Sequence, residues 1–136
     1  MIKPTVLIVD DEKKFTDTFA EFLSQRFNAD VLVRNNAMEA IEVLDQQRVD
    51  VLFQDMIMPG ADGEQVIDHI KNLQRINEMI IFIISKWNED VRTSKFEKCD
   101  VKYIPKPISL ITTQKVLIEE FENHGGFDYK KSDIAG

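Results

Sequence analysis

Residues 49–63 read VDVLFQDMIMPGADG, and the reading of this stretch decides the fold. Val49 to Gln54 is a strand, Asp55 ends it, and Met58–Gly63 (MPGADG) carries the Pro and Gly of a loop. Working outward, the same pattern recurs on both sides. Upstream, Thr5–Val9 (TVLIV) is a continuous apolar run ending at Asp10, which reads as a buried strand. Val31–Val33 is a weaker one. Downstream, Met79–Ile84 (MIIFII) is the most hydrophobic run and reads as a central strand, and Val101–Ile104 leads into Lys106-Pro107.

Helical stripes fill the intervals. Phe15, Phe19, Phe22 and Leu23 fall on one face, and Asn36 with Glu39 opens a second helix carrying Ala40, Ile41 and Leu44. Val66, Ile67, Ile70 and Leu73 make a third stripe. The fourth, Asn88–Lys98, is anchored by little more than Val91 and Phe96, and Leu110, Leu117 and Phe121 define the fifth. Strict alternation of five strands and five helices predicts an α/β fold, an open (βα)5 parallel sheet with helices on both sides.

The chain has 136 residues, 43% hydrophobic and 30% charged, which fits one globular domain. It has no charge-free apolar stretch long enough for a bilayer and no N-terminus of signal-peptide type. The single cysteine, Cys99, forms no internal disulfide, and a cytoplasmic location is expected. A net charge of −7 excludes nucleic-acid binding by this chain alone, since phosphate backbones demand a basic surface. That acidity either serves solubility or is concentrated partly in one pocket.

Parallel sheets of this kind hold ligands beyond the carboxyl ends of their strands. The polar residues at those ends are Asp10, Asp11, Asp55, Ser85 and Lys106. Taken singly, each has a structural reading: Asp10-Asp11 as a helix-capping pair, Asp55 and Ser85 as turn residues, Lys106 as a solvated cation. Together, three carboxylates at one edge repel one another unless a cation sits among them, and hard oxygen ligands suit Mg2+ or Mn2+. A carboxylate nucleophile, a metal, a hydroxyl and a lysine form a site for phosphoryl transfer.

VLIVDDE (Val6–Glu12), VDVLFQDMIMPGADG (Val49–Gly63), the IIS ending at Ser85 and YIPKP (Tyr103–Pro107) together resemble the receiver domain of bacterial two-component response regulators. The resemblance covers residues 5 to 122 and implies a flavodoxin-like strand order 2-1-3-4-5. It further implies transfer of a phosphoryl group from a sensor histidine kinase or phosphotransfer protein to Asp55. Asp10, Asp11, Asp55 and the backbone carbonyl of Ile57 are then the expected metal ligands. Ser85 and Lys106 are the expected phosphoryl contacts, and Tyr103 the expected aromatic switch. The output surface, and a homodimer interface if one forms, would be the fourth helix, fifth strand and fifth helix. Ile111 and Ile118 lie a quarter-turn from the fifth helix's main stripe and are read either as part of a broad buried face or as part of that surface.

Ile57 and Trp87 occupy the two positions that tune dephosphorylation in such domains; neither orients a water, which predicts a long-lived phosphoaspartate. Lys86 and Cys99 are further departures from the pattern. His69 and His124 read as surface residues in acid-poor settings. The domain is expected over residues 1–122, with 123–136 a tail or the start of a linker to an absent effector; Gly125-Gly126 stops the helix, and Phe127 and Tyr129 are free to dock. Two alternatives stand beside the signalling reading: a receiver-like interaction module indifferent to phosphate, and an aspartyl phosphohydrolase. The latter lacks the acid/base residue expected two positions after the nucleophile, where Ile57 stands.

Overall fold

A computed structural model of the chain describes residues 1–56, 63–73, 78–85 and 101–131. Its elements are β1 (Thr5–Val9), α1 (Lys13–Arg26), β2 (Asp30–Arg34), α2 (Ala37–Gln46), β3 (Val51–Asp55), α3 (Gly63–Ile70), β4 (Ile80–Ser85), β5 (Val101–Pro105) and α4 (Leu110–His124). The helix expected over Asn88–Lys98, with Val91 and Phe96, lies outside the described residues, as do Ile57, Lys86, Trp87 and Cys99. Hence α4 is the fifth helix of the sequence reading.

The five strands form one parallel sheet in the order β2-β1-β3-β4-β5. This is the flavodoxin-like order, in which chain direction across the sheet reverses between β1 and β3. Strand side chains alternate between two apolar layers. Leu7, Val9, Leu52, Ile81 and Ile83 pack with Ala40, Val43, Ile67 and Ile70 of α2 and α3. Val6, Ile8, Phe53, Phe82 and Ile84 pack with Phe19 and Leu23 of α1 and Leu117 and Phe121 of α4. In the second layer Phe53 stacks on Phe82 at 4.7 Å and takes the edge of Phe19 at 4.9 Å. Each such side chain, removed from water, contributes roughly 1.5–3 kcal/mol.

Several expected boundaries move by one or two residues. β3 begins at Val51, and the buried Asp50 before it is held by its side chain: Oδ2 accepts from the Thr5 amide at 2.8 Å and Oδ1 from Arg48 Nε at 2.7 Å. Asp55 and Ser85 are the last residues of their strands rather than the first of the following loops, since the pairing of Asp55 with Ile84 and of Ser85 with Pro105 carries each ladder one step further. The MIIFII strand is fully buried, but the middle of the sheet is β3. Asn36 caps α2 as expected, accepting from the Glu39 amide at 2.8 Å.

After α4, Gly125 and Gly126 take φ of 69° and 79°, a left-handed turn that L side chains rarely adopt, and the chain folds back. Phe127 forms a parallel bridge with Ile2, and Lys130 an antiparallel bridge with Phe27. Tyr129 is buried, stacked 4.9 Å from Phe121, and its hydroxyl donates to Glu122 Oε1. Residues 127–131 thus strap the seam between α1 and α4. Ile118 packs into that layer, whereas Ile111 is 57% exposed, so the two isoleucines divide between the expected alternatives.

Candidate functional site

The switch point between β1 and β3 sets two strand ends side by side, and each ends in acid. Asp10 and Asp55 are both 1% exposed, whereas Asp11 faces solvent. A carboxylate oxygen from each of the three lies within 4.8 Å of the others. Lys106, on the loop after β5, brings Nζ to 3.2 Å from Asp55 Oδ2 and 3.8 Å from Asp10 Oδ2. Its backbone amide donates to Ser85 O at 3.1 Å, which fixes that loop against the end of β4. All five residues taken from the strand ends therefore meet at one edge. The carbonyl of Ile57 and the indole of Trp87 fall outside the described residues.

The two carboxylate oxygens of Asp10 stand in different settings. Oδ1 accepts from the Glu12 amide at 2.9 Å, a local turn that leads into α1. Oδ2 is buried and accepts no hydrogen bond among the described residues. Burial pushes the Asp10 carboxyl up from 3.8 to about 6; the Glu12 amide opposes that rise, Asp55 adds to it, and Lys106 also opposes it. For Lys106, burial favours the neutral amine, yet the charges of Asp55 and Asp10 outweigh it and raise the pKa above the usual lysine value. The corner thus combines excess negative charge with a buried oxygen that lacks a donor, a donor set suited to a hard divalent cation.

Tyr103 lies on β5, 37% exposed, its phenol raised by partial burial. The histidines correct the sequence reading. His69 Nε2 sits 2.6 Å from Asp45 Oδ1, and His124 Nδ1 lies 3.6 Å from Glu120 Oε2, so neither setting is acid-poor. Asp45 is 24 residues from His69 and reaches it only because α2 packs on α3. Glu120, by contrast, is one helical turn before His124, a spacing available in the sequence.

Four residues that support the site were not singled out from sequence. Asn35 Nδ2 donates to the Asp10 carbonyl at 2.8 Å and to Thr16 Oγ1 at 3.2 Å. Gln54, fully buried, donates from Nε2 to the Asp55 carbonyl at 2.7 Å. Gly63 opens α3 so close to β3 that a Cβ there would stand 2.4 Å from Asp55 O and 2.8 Å from Met56 Cα. Of these, only the glycine closing MPGADG left a signal in the sequence.

Comparison with known proteins points to one family. The family model for the response regulator receiver domain matches residues 6–118. A protein described as a probable cyclic di-GMP phosphodiesterase from Vibrio cholerae is 30% identical over 107 residues, 78% of this chain and 24% of its own length. The hydrogenase transcriptional regulatory protein HoxA from Cupriavidus necator is 33% identical over 105 residues, 76% of this chain and 21% of its own. The chain therefore spans about a quarter of those two relatives. Among solved structures, a Francisella response regulator receiver domain superposes with a TM-score of 0.75 at 22% identity, covering 90% of this chain and all of that one. A CheY-like receiver protein from Methanospirillum hungatei gives 0.76 at 20% identity, covering 90% and 96%. At such identities the likeness speaks for the fold. Among the described residues no helix is long and apolar enough to cross a membrane.

Proposed function

The chain belongs to the response regulator receiver domain family, a regulatory family of two-component systems, and from that premise we propose that it is a switch operated by phosphorylation of Asp55. The observation that carries this reading is a buried Asp55 carboxylate 3.2 Å from the Lys106 ammonium, inside a cluster of three acids at the sheet's switch point. An oxygen of Asp55 attacks phosphorus of a phosphohistidine on a sensor histidine kinase or phosphotransfer protein. The P–N bond breaks, and the electron pair leaves with the imidazole, which takes up a proton. Lys106 and Ser85 hold phosphoryl oxygens, the lysine by charge and the serine by a hydroxyl hydrogen bond.

Asp10, Asp11, Asp55 and the Ile57 carbonyl would hold Mg2+ or Mn2+. A bound divalent cation would neutralise charge among the acids and on the transferring group. Tyr103 and the face of β5 and α4 would carry the state outward, to an output domain, a second copy of the chain or another partner. The length of the curated relatives supports a fused output unit, and the packing of residues 127–131 supports counting them with the receiver, beyond a boundary at 122. The absence of a membrane-crossing helix among the described residues is compatible with a cytoplasmic setting.

Incubation with a small-molecule phosphodonor and Mg2+, followed by intact-mass measurement, tests the reading. We expect one phosphoryl adduct, lost in Asp55→Asn and on chelation of the metal. An unmodified wild-type chain would leave an interaction module indifferent to phosphate. Once formed, the adduct should decay more slowly than in Ile57→Asn, because neither Ile57 nor Trp87 has a group to orient an attacking water; equal decay would remove that kinetic role.

A further inference from the structure

We propose that Asn35, just beyond β2, is a positioning residue for the cation site, one that holds the Asp10–Asp11 peptide in the orientation that gathers the carboxylates. The proposal rests on the phosphoacceptor reading above. Asp10 is tied at three of its four polar atoms. Its amide donates to Arg34 O at 3.2 Å, its carbonyl accepts from Asn35 Nδ2 at 2.8 Å, and its Oδ1 accepts from the Glu12 amide at 2.9 Å. The remaining atom, Oδ2, is buried without a hydrogen bond among the described residues and faces Lys106.

The carbonyl of Asp10 and the amide of Asp11 belong to one rigid peptide plane. A donor that fixes the carbonyl therefore fixes the rotation of the unit from which Asp11 departs. Asn35 suits this task because its own orientation is determined. Thr16 Oγ1 gives its proton to Lys13 O at 3.0 Å, so it accepts from Asn35 at 3.2 Å. Both contacts of the Asn35 side chain thus require its NH2 group rather than its oxygen. Thr16 is fully buried in the first turn of α1, so the tether runs from the helix through Asn35 to the acidic loop. Without it, repulsion among three carboxylates would turn the exposed Asp11 outward and separate the ligands.

Mn2+ binding followed by electron paramagnetic resonance, with thermal melts on the same samples, provides the test. Loss of one net hydrogen bond predicts Mn2+ binding weakened about three- to tenfold in Asn35→Ala. Thr16→Val should show a smaller loss, and Thr16→Ser, which keeps the hydroxyl, wild-type affinity. Phosphorylation of Asn35→Ala from a small-molecule donor should be slow at limiting Mg2+ and recover at saturating Mg2+, whereas Lys106→Ala should stay slow. Folded Asn35→Ala with wild-type Mn2+ affinity overturns the proposal. If that variant fails to fold, equal affinities in Thr16→Val and Thr16→Ser overturn it instead. A wild-type chain that binds no Mn2+ sinks the phosphoacceptor reading together with this one. A chain whose Mn2+ binding depends on Asn35 but which accepts no phosphoryl group sinks the transfer reading alone.

Discussion

Asp10 illustrates the tension within the site, because the burial that gathers it with the other acids also makes it a poor anion. Its folded pKa of about 6 exceeds its ordinary value of 3.8, so between those values the folded chain binds more protons than the unfolded one. Stability of the metal-free protein should therefore fall as pH rises from about 4 to about 6. Asp10→Asn should flatten that slope and raise the melting temperature at neutral pH while abolishing Mn2+ binding. Melts across pH, with and without the cation, check both outcomes. Gly63 makes the converse case, a residue that matters for what it lacks. Its would-be Cβ meets backbone, which has little freedom to yield, so Gly63→Ala should cost roughly 1–3 kcal/mol in urea unfolding and slow phosphorylation through displacement of Asp55.

Elements were legible to the degree that their burial was local. TVLIV and MIIFII are almost wholly apolar and emerged as strands almost to the residue, and Asn36 announced the start of α2 through its cap. Asp50 was absorbed into a strand run because one of its partners, Thr5, is 45 residues away and meets it only after the sheet forms. Asp50→Ala leaves the Thr5 amide without its acceptor and Arg48 without its carboxylate, and should destabilise the fold by about 2–3 kcal/mol. The strap was half legible: Gly125-Gly126 signalled a stop, but nothing local shows that Tyr129 returns to Phe121. Tyr129→Ala should cost about 3 kcal/mol or more. Burial and then the bond to Glu122 push the Tyr129 phenol from 10 up to about 12, so its stabilising contribution holds below pH 10 and is lost as pH climbs toward 12. Ultraviolet titration of Tyr103→Phe, which leaves Tyr129 as the remaining tyrosine, should show phenolate appearing only near the upper value.

At the scale of the molecule, the acidic corner was legible because topology, rather than contact detail, brings it together: strand order alone sends Asp10, Asp55, Ser85 and Lys106 to one edge. What escaped the sequence was the scaffolding of that corner, since Asn35 and Thr16 act through single hydrogen bonds between elements and leave no periodic trace. The strap has one more consequence. Ile2 N donates to Gly126 O at 2.9 Å and Asp128 N to Ile2 O at 2.7 Å, so the two ends of the described chain lie side by side. The domain is therefore a nearly closed ring, open at one seam. A linker of about eight residues should join Lys131 to Met1, and the ring could then be cut between Gln46 and Gln47, on the exposed turn after α2. Such a circular permutant should keep the parent's circular dichroism spectrum and its Mn2+ binding. It would also place its new ends beside β3 rather than beside β1, offering a fused reporter a different side of the same domain.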